Sequence, residues 1–338
     1  MNEPGQRTTV TRRRARVAFI GDTLLGGEAQ PTIDQTGYHY ALGGLAPMLA
    51  DADLVVANHE GPLTIRQQPA HKLDTGRKRY WYRGRPEAAE ALAAVGVKVV
   101  SLANNHILDF GMEGLADTLA ALDTHGIQHC GAGPDDVTAR RPALATVNGV
   151  RLGFLSVMQR YEMYQSEQLY ASAGRPGPAR LRLSRIRADL AALNRQVHLS
   201  VVLVHWGRNY RPLTHRQRHL ARALTEAGAG LVVGHHPHIP QPDAWAPTPV
   251  LYSLGNAALG TPGRFHSGRP PYGLVATFDI TTTGIEACTL RLIHVDNSAI
   301  RFRPEPARDS TAVAFLQSLL GSPGTAADSA DGSITIHR

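Results

Sequence analysis

Cysteine is nearly absent from this sequence: Cys130 and Cys288 are the only two in 338 residues. They stand far apart and give no spacing suited to a metal or a redox pair, so a reduced, cytoplasmic setting is expected. Lysine is scarce as well. Lys72, Lys78 and Lys98 are the only three, so arginine carries nearly all of the net charge of +7. The arginines are dispersed, apart from residues 12–16 and the 77–85 segment. A spread excess of this kind suits anionic substrates and does not argue for nucleic acid. Long apolar runs are missing too. The runs that occur are short, for example 54–57 and 201–204. None nears the roughly 18 residues of a membrane span, so no integral membrane segment is expected. Residues 1–16 are polar and carry Arg12, Arg13, Arg14 and Arg16, and only 17–20 follows as an apolar stretch. That is too short for the apolar region of a signal peptide, so secretion is not expected.

What is present is an ordinary globular composition, with 43% hydrophobic and 19% charged residues. It excludes a mostly disordered chain. At about 150 residues per domain, this length means two domains or one large α/β domain. Short apolar runs at 17–20, 54–57, 97–103, 200–204, 230–233 and 250–253 read as buried strands. Helical periodicity falls between several of them, at 86–94, 112–124, Leu183–Leu193 and 216–227. Alternating strands and helices imply a layered α/β sheet. Ala143–Val147 and 150–156 flank Asn148-Gly149 as a hairpin, 273–280 and 285–295 form another strand pair, and 309–320 is a closing helix. A single domain with two sheets is expected over 17–320. A flexible basic N-terminus at 1–16 and a flexible polar tail at 321–338 would flank it.

The ends of the six strands carry the chemistry. They run into Gly21-Asp22, Asn58-His59-Glu60, Asn104-Asn105-His106, His205-Trp206-Gly207, Gly234-His235-His236-Pro237-His238 and Leu254-Gly255-Asn256. In open α/β sheets ligands bind beyond the carboxyl ends of the strands, so the pattern proposes one site built from six loops. In an extended loop His236 and His238 point the same way and can reach one metal or two adjacent ones. The alternative is a pair of surface histidines. Asp22, Glu60, Asn105, His205, His236 and His238 together make a mixed oxygen and imidazole donor set. It suits zinc, manganese or iron, or magnesium or calcium if oxygens dominate. Asp109, three residues after His106, can hold that imidazole as a general acid or base, or can cap the helix that follows.

In this order, the motifs resemble those of the bacterial capsule-synthesis (poly-γ-glutamate, CapA) family, within the calcineurin-like metallophosphoesterase superfamily. The resemblance runs from about residue 17 to 295. It implies a four-layer α/β/β/α sandwich with a metal site at the strand ends. It implies Asp22 and His238 on a first divalent ion, Asn105, His205 and His236 on a second, and Glu60 bridging them. His106 would be the acid/base residue, oriented by Asp109, with His205 also close to the chemistry. Three positions depart from the family's pattern: Leu24 stands where a histidine is usual, Asn209 where glutamate is usual, and Ala257 where an aromatic is usual. Capsule-assembly members also typically carry an N-terminal membrane segment.

Two segments are candidates for substrate contact. The first, 77–83, mixes cations and aromatics and ends in Arg83; it reads as a wall for an anionic group or as a solvated edge strand. The second, 159–178, holds Tyr161, Tyr164 and Tyr170 and reads as a long lid-like loop. His59, Asn209 and Asn256 complete the candidate contacts. The leading expectation is a soluble metal-dependent hydrolase or transferase acting on a glutamyl or peptide amide or a phosphoester. The alternatives are a metal-dependent peptide Cα epimerase, with His59 or His205 as a second base facing His106, and a non-catalytic capsule biosynthesis protein.

Overall fold

The computed structural model describes residues 13–70, 80–166, 168–241, 245, 248–266, 269–320 and 332–337. In chain order the main strands are β1 (Arg14–Leu24), β2 (Leu54–His59), β3 (Val97–Ser101), β4 (Gln128–Cys130), β5 (Ala143–Val147), β6 (Val150–Met158) and β7 (Leu199–His205). They continue with β8 (Leu231–His235), β9 (Val250–Leu251), β10 (Asn256–Leu259), β11 (Tyr272–Thr281), β12 (Gly284–His294), β13 (Glu305–Ala307) and β14 (Ser333–His337). The main helices are α1 (Ala88–Ala94), α2 (Gly111–Thr124), α3 (Leu183–Leu193), α4 (His215–Glu226) and α5 (Ser310–Leu319).

One sheet has the order β13-β12-β11-β1-β2-β3-β4, with β10 beside β1 and β14 beside β12. The other runs β9-β8-β7-β6-β5. Strands β1 to β4 are mutually parallel, as are β6 to β9. The β5–β6 hairpin turns through Asn148 and Gly149, both at positive φ, as the sequence pair predicts.

Period-two alternation builds the layers. Val17, Phe19, Leu54 and Val56 of one sheet meet Phe154, Val201, Leu203 and Val233 of the other in a shared inner core. The opposite-facing Ala18, Ile20, Val55 and Ala57 pack against Ile33, Leu42, Leu92 and Leu115 from the helical layer on that side. Leu155, Val202, Val204 and Val232 pack against Ile186, Leu190, Leu220 and Leu224 of α3 and α4. The result is an α/β/β/α sandwich. Strands buried on both faces read as continuous apolar runs, which is why they were visible in the sequence.

Several boundaries differ from the sequence reading. Arg14, Ala15 and Arg16 are not in a flexible terminus but in β1, where they pair with Thr281, Ile280 and Asp279. Asp279 holds both arginines by ion pairs. The 321–338 tail is not wholly flexible: β14 pairs with β12 and buries Ile334 and Ile336. Residues 159–178 are not a bare loop. They contain a short helix (Glu162–Ser166) and a two-residue bridge, Gly177–Pro178, to Ala132–Gly133. The 250–253 run breaks at Tyr252, with Ser253–Leu254 pairing to Pro240–Gln241 instead.

Candidate metal centre

Asp22 sits just past a bend in β1, where the register with β2 shifts between Ile20 and Asp22 before Asp22 and Thr23 pair with Asn58 and His59. Gly21 permits that bend, because a Cβ there would lie 2.0 Å from the Gly255 carbonyl oxygen. Asp22 is fully buried yet surrounded by donors. Asn58 Nδ2 donates to Oδ1 at 2.8 Å and the His236 amide donates to Oδ2 at 3.2 Å. His235 Nδ1 and His238 Nδ1 lie 3.4 and 3.1 Å from its oxygens. Burial pushes this carboxyl up, but the hydrogen bonds from His235 and His238 outweigh it and hold it well below the usual range.

Glu60, just after β2, is in the opposite condition. It is 1% exposed, and neither carboxylate oxygen has a hydrogen-bond partner. Burial raises its carboxyl to about 8, against the pull of His238. A buried carboxylate without a partner is costly unless a cation sits beside it. Two triads converge on it: Glu60 with His205 and His236, and Glu60 with Asp22 and His238, the donor atoms of each lying within 4.8 Å of one another. Asn105 Oδ1 meets His205 Nε2 at 2.8 Å, which adds an amide oxygen to the first triad. Burial and the charge of His238 push His236 down to about 3, and burial pushes His205 well below the usual imidazole range. Neutral imidazoles are the form that binds metals. The donor chemistry and the orphaned carboxylate therefore fit one or two divalent ions. His236 and His238 hold positive φ of 93° and 60°, backbone strain of the kind that concentrates at functional sites.

His238 is placed by Asn256, whose Oδ1 lies 2.9 Å from Nδ1. Burial works against its charge, but Glu60 and Asp22 raise it to about 9. Beside the triads, His106 Nδ1 lies 2.8 Å from Asp109 Oδ2, which also accepts the Tyr82 amide at 2.7 Å. Asp109 does not cap α2; that position is Phe110, with no side-chain cap. The tautomer with a proton on Nδ1 leaves Nε2 as the nitrogen that exchanges protons. His106, Glu60 and His238 line one cavity of about 250 Å³ together with Tyr80, Tyr82, Asn209, Tyr210 and Arg264.

The other sequence candidates fall in different places. Asn209 lines the cavity. Asn256 contacts His238, and its carbonyl oxygen is engaged there. Tyr161 lies behind the site, with its hydroxyl donating to the Gly207 carbonyl and its ring 5.5 Å from that of His236. Arg83 is absent from the cavity lining: its guanidinium bonds the Arg66 carbonyl and Gln67, and stacks on Phe110. Residues 77–79 of the 77–83 segment lie outside the described residues. His59 is fully buried with both ring nitrogens unpaired, and burial lowers it to about 4. Leu24 is a core residue at the end of β1, and Ala257 is buried in the outer core. Sequence reasoning missed Asn58 as the holder of Asp22. It also missed Tyr210, whose ring lies 5.4 Å from that of His238, while Tyr82, from the 77–83 segment expected to contact substrate, lines the cavity with its ring 4.3 Å from His106. The only signal for Asn58 and Tyr210 was proximity in sequence to a motif.

An α/β/β/α sandwich whose strand ends gather aspartate, glutamate, asparagine and histidines around a shared carboxylate defines the calcineurin-like metallophosphoesterase class. Within it, the profile of the family described as "Bacterial capsule synthesis protein PGA_cap" matches residues 16–261, and the chain belongs to that family. Capsule biosynthesis protein CapA of Bacillus anthracis is 30% identical over 247 residues, covering 71% of this chain and 58% of that protein. PGA biosynthesis protein CapA of Bacillus subtilis is 30% identical over 245 residues, covering 71% and 62%. A probable polyglutamine synthesis accessory protein of Mycobacterium tuberculosis is 38% identical over 189 residues, covering 53% and 50%. The match thus spans no more than 62% of the length of any of these relatives. No helix among the described residues is long and apolar enough to cross a membrane.

Proposed function

We propose that the chain is a metal-dependent hydrolase or transferase acting on a glutamyl or peptide amide, with a phosphoester as the second substrate class. The observation that carries this reading is Glu60, a buried carboxylate with no hydrogen-bond partner, shared by two triads at the floor of a cavity that His106 also lines. Asp22, Glu60, Asn105, His205, His236 and His238 would hold the ion or ions. A divalent ion there supplies a Lewis acid and lowers the pKa of bound water.

The chain's own groups divide the remaining work. Asp109 fixes His106 in one tautomer and one ring orientation, so Nε2 can pass a proton to a leaving amine or alkoxide. Asn58 and the His236 amide hold Asp22, and Asn256 holds His238, so the donor set is formed before substrate arrives. The names of the relatives, which cite capsule and polyglutamine synthesis, favour a glutamyl polymer as substrate. Epimerisation would need a second base across from His106. His59 and His205, the two imidazoles considered for it, do not line the cavity, whereas His238, a proposed metal ligand, does.

The test is purified protein loaded with manganese, zinc or calcium and incubated with a γ-glutamyl oligomer and, separately, with a phosphodiester. Cleavage or chain transfer that disappears in His236→Ala supports the proposal. Exchange of Cα hydrogen in deuterium oxide without cleavage replaces it with the epimerase reading. Turnover of neither substrate, with no such exchange, leaves the non-catalytic reading in front.

A further inference from the structure

Two arginines gather on the ring of Tyr210, a residue that lines the cavity. The guanidinium carbons of Arg264 and Arg269 lie 5.8 and 5.2 Å from the centre of the Tyr210 ring. That ring is in turn 5.4 Å from the ring of His238. Arg269 is fixed from below: one guanidinium nitrogen donates to the Arg264 carbonyl at 2.7 Å, and its backbone pairs in both directions with His266. Arg264 itself lines the cavity.

Among the described residues, neither guanidinium is paired with a carboxylate. Elsewhere arginines have acids to hand, as in Arg66–Asp117, Arg85–Asp34, Arg140–Asp189 and Arg303–Glu305. Two like charges gathered on one ring repel each other, and an anion between them relieves that repulsion. Each guanidinium offers five N–H donors in a planar fork, of which Arg269 spends one on the Arg264 carbonyl.

We propose that Arg264 and Arg269 form an oxyanion clamp over Tyr210, beside the cavity, which binds an anionic group of the substrate one tyrosine ring away from His238. The clamp deepens the proposed function and rests on it. It makes these two arginines specificity-determining residues. Carboxylate and phosphoryl groups share the chemistry the clamp recognises, so binding must tell them apart.

The experiment titrates the full-length, metal-loaded protein calorimetrically with inorganic phosphate and with a γ-glutamyl tetramer. Wild type is compared with Arg264→Gln, Arg269→Gln, the double variant and Arg264→Lys. The expected result is that the double variant binds its preferred probe roughly tenfold or more weakly. Its metal content should be unchanged, its salt dependence shallower, and Arg264→Lys should restore part of the affinity. Preference for the tetramer assigns the clamp to carboxylates, and preference for phosphate assigns it to phosphoryl groups. In turnover, KM should rise more than kcat falls. Equal binding of both probes by wild type and the double variant overturns the clamp, as does binding of neither probe by wild type. Arginine-dependent binding without turnover leaves the clamp standing and removes the hydrolase reading. Turnover with an unchanged KM in the double variant does the reverse.

Discussion

Asp22 and His238 close the site across the two sheets. Asp22 lies near the end of β1 in one sheet and His238 follows β8 in the other, yet Oδ2 and Nδ1 are 3.1 Å apart. Asn105 and His205 make a second crossing of the same kind, at 2.8 Å. The candidate donor groups are therefore held by the packing of one sheet on the other. Anything that loosens the inner core should loosen the site.

Glu60→Gln should remove metal from both triads, because both depend on its carboxylate. Elemental mass spectrometry would read less than half of the wild-type content. Full metal retention would contradict the shared role.

Asp109→Asn should leave metal content intact and lower kcat by about 10²–10⁴-fold, because a neutral amide oxygen no longer stabilises the charged form of His106. An asparagine oxygen can still accept the Tyr82 amide, so the local backbone should hold. Wild-type turnover in this variant would remove His106 from the mechanism.

Asn58→Ala should weaken metal binding about tenfold or more without removing a ligand, because Asn58 Nδ2 fixes one oxygen of Asp22. Competition against a chelator of known affinity measures it. Unchanged affinity would mean that the neighbouring donors hold Asp22 without Asn58.

Ile334→Ala should cost about 2–5 kcal/mol of stability, an ordinary price for emptying a core isoleucine site. Ile334 is 1% exposed and packs in the inner core opposite Leu290. Chemical denaturation at an unchanged m-value is the measurement. A shift below about 0.5 kcal/mol, the range of ordinary surface substitutions, would show that β14 contributes little.

Asp279→Asn should lower stability at neutral pH by about 1 kcal/mol, because the pair is partly solvent-screened. Burial raises the Asp279 carboxyl, but hydrogen bonds and charge from Arg16 and Arg14 outweigh it, so its folded pKa lies below the unfolded value. That contribution is present above about pH 4, near the unfolded value, and is lost as pH falls through the lower folded value. Urea midpoints of variant and wild type should therefore converge in acid. A gap that persists or widens there would refute the assignment.

Much of this protein was legible in one dimension. Val17, Phe19, Val201 and Val233 sit in strands covered on both faces, and such strands announce themselves as unbroken apolar runs. The polar residues that end those runs named most of the donor set, because a strand's last residue is where its side chain reaches the ligand edge of an α/β sheet. The sequence also contained the His106–Asp109 pair, since three residues span it.

Tertiary structure decided what depends on distances between remote segments. Residues 105 and 205 meet, Glu60 belongs to two triads, Asn58 holds Asp22, and Arg264 with Arg269 comes to rest on Tyr210. It also decided the fate of the ends, where β1 begins at Arg14 and β14 completes a sheet edge. Short alternating segments such as Ser-Ile-Thr-Ile-His at 333–337 are too brief to fix a strand by themselves. They become one only when a neighbouring edge supplies the hydrogen bonds and the apolar surface that such a segment cannot supply for itself.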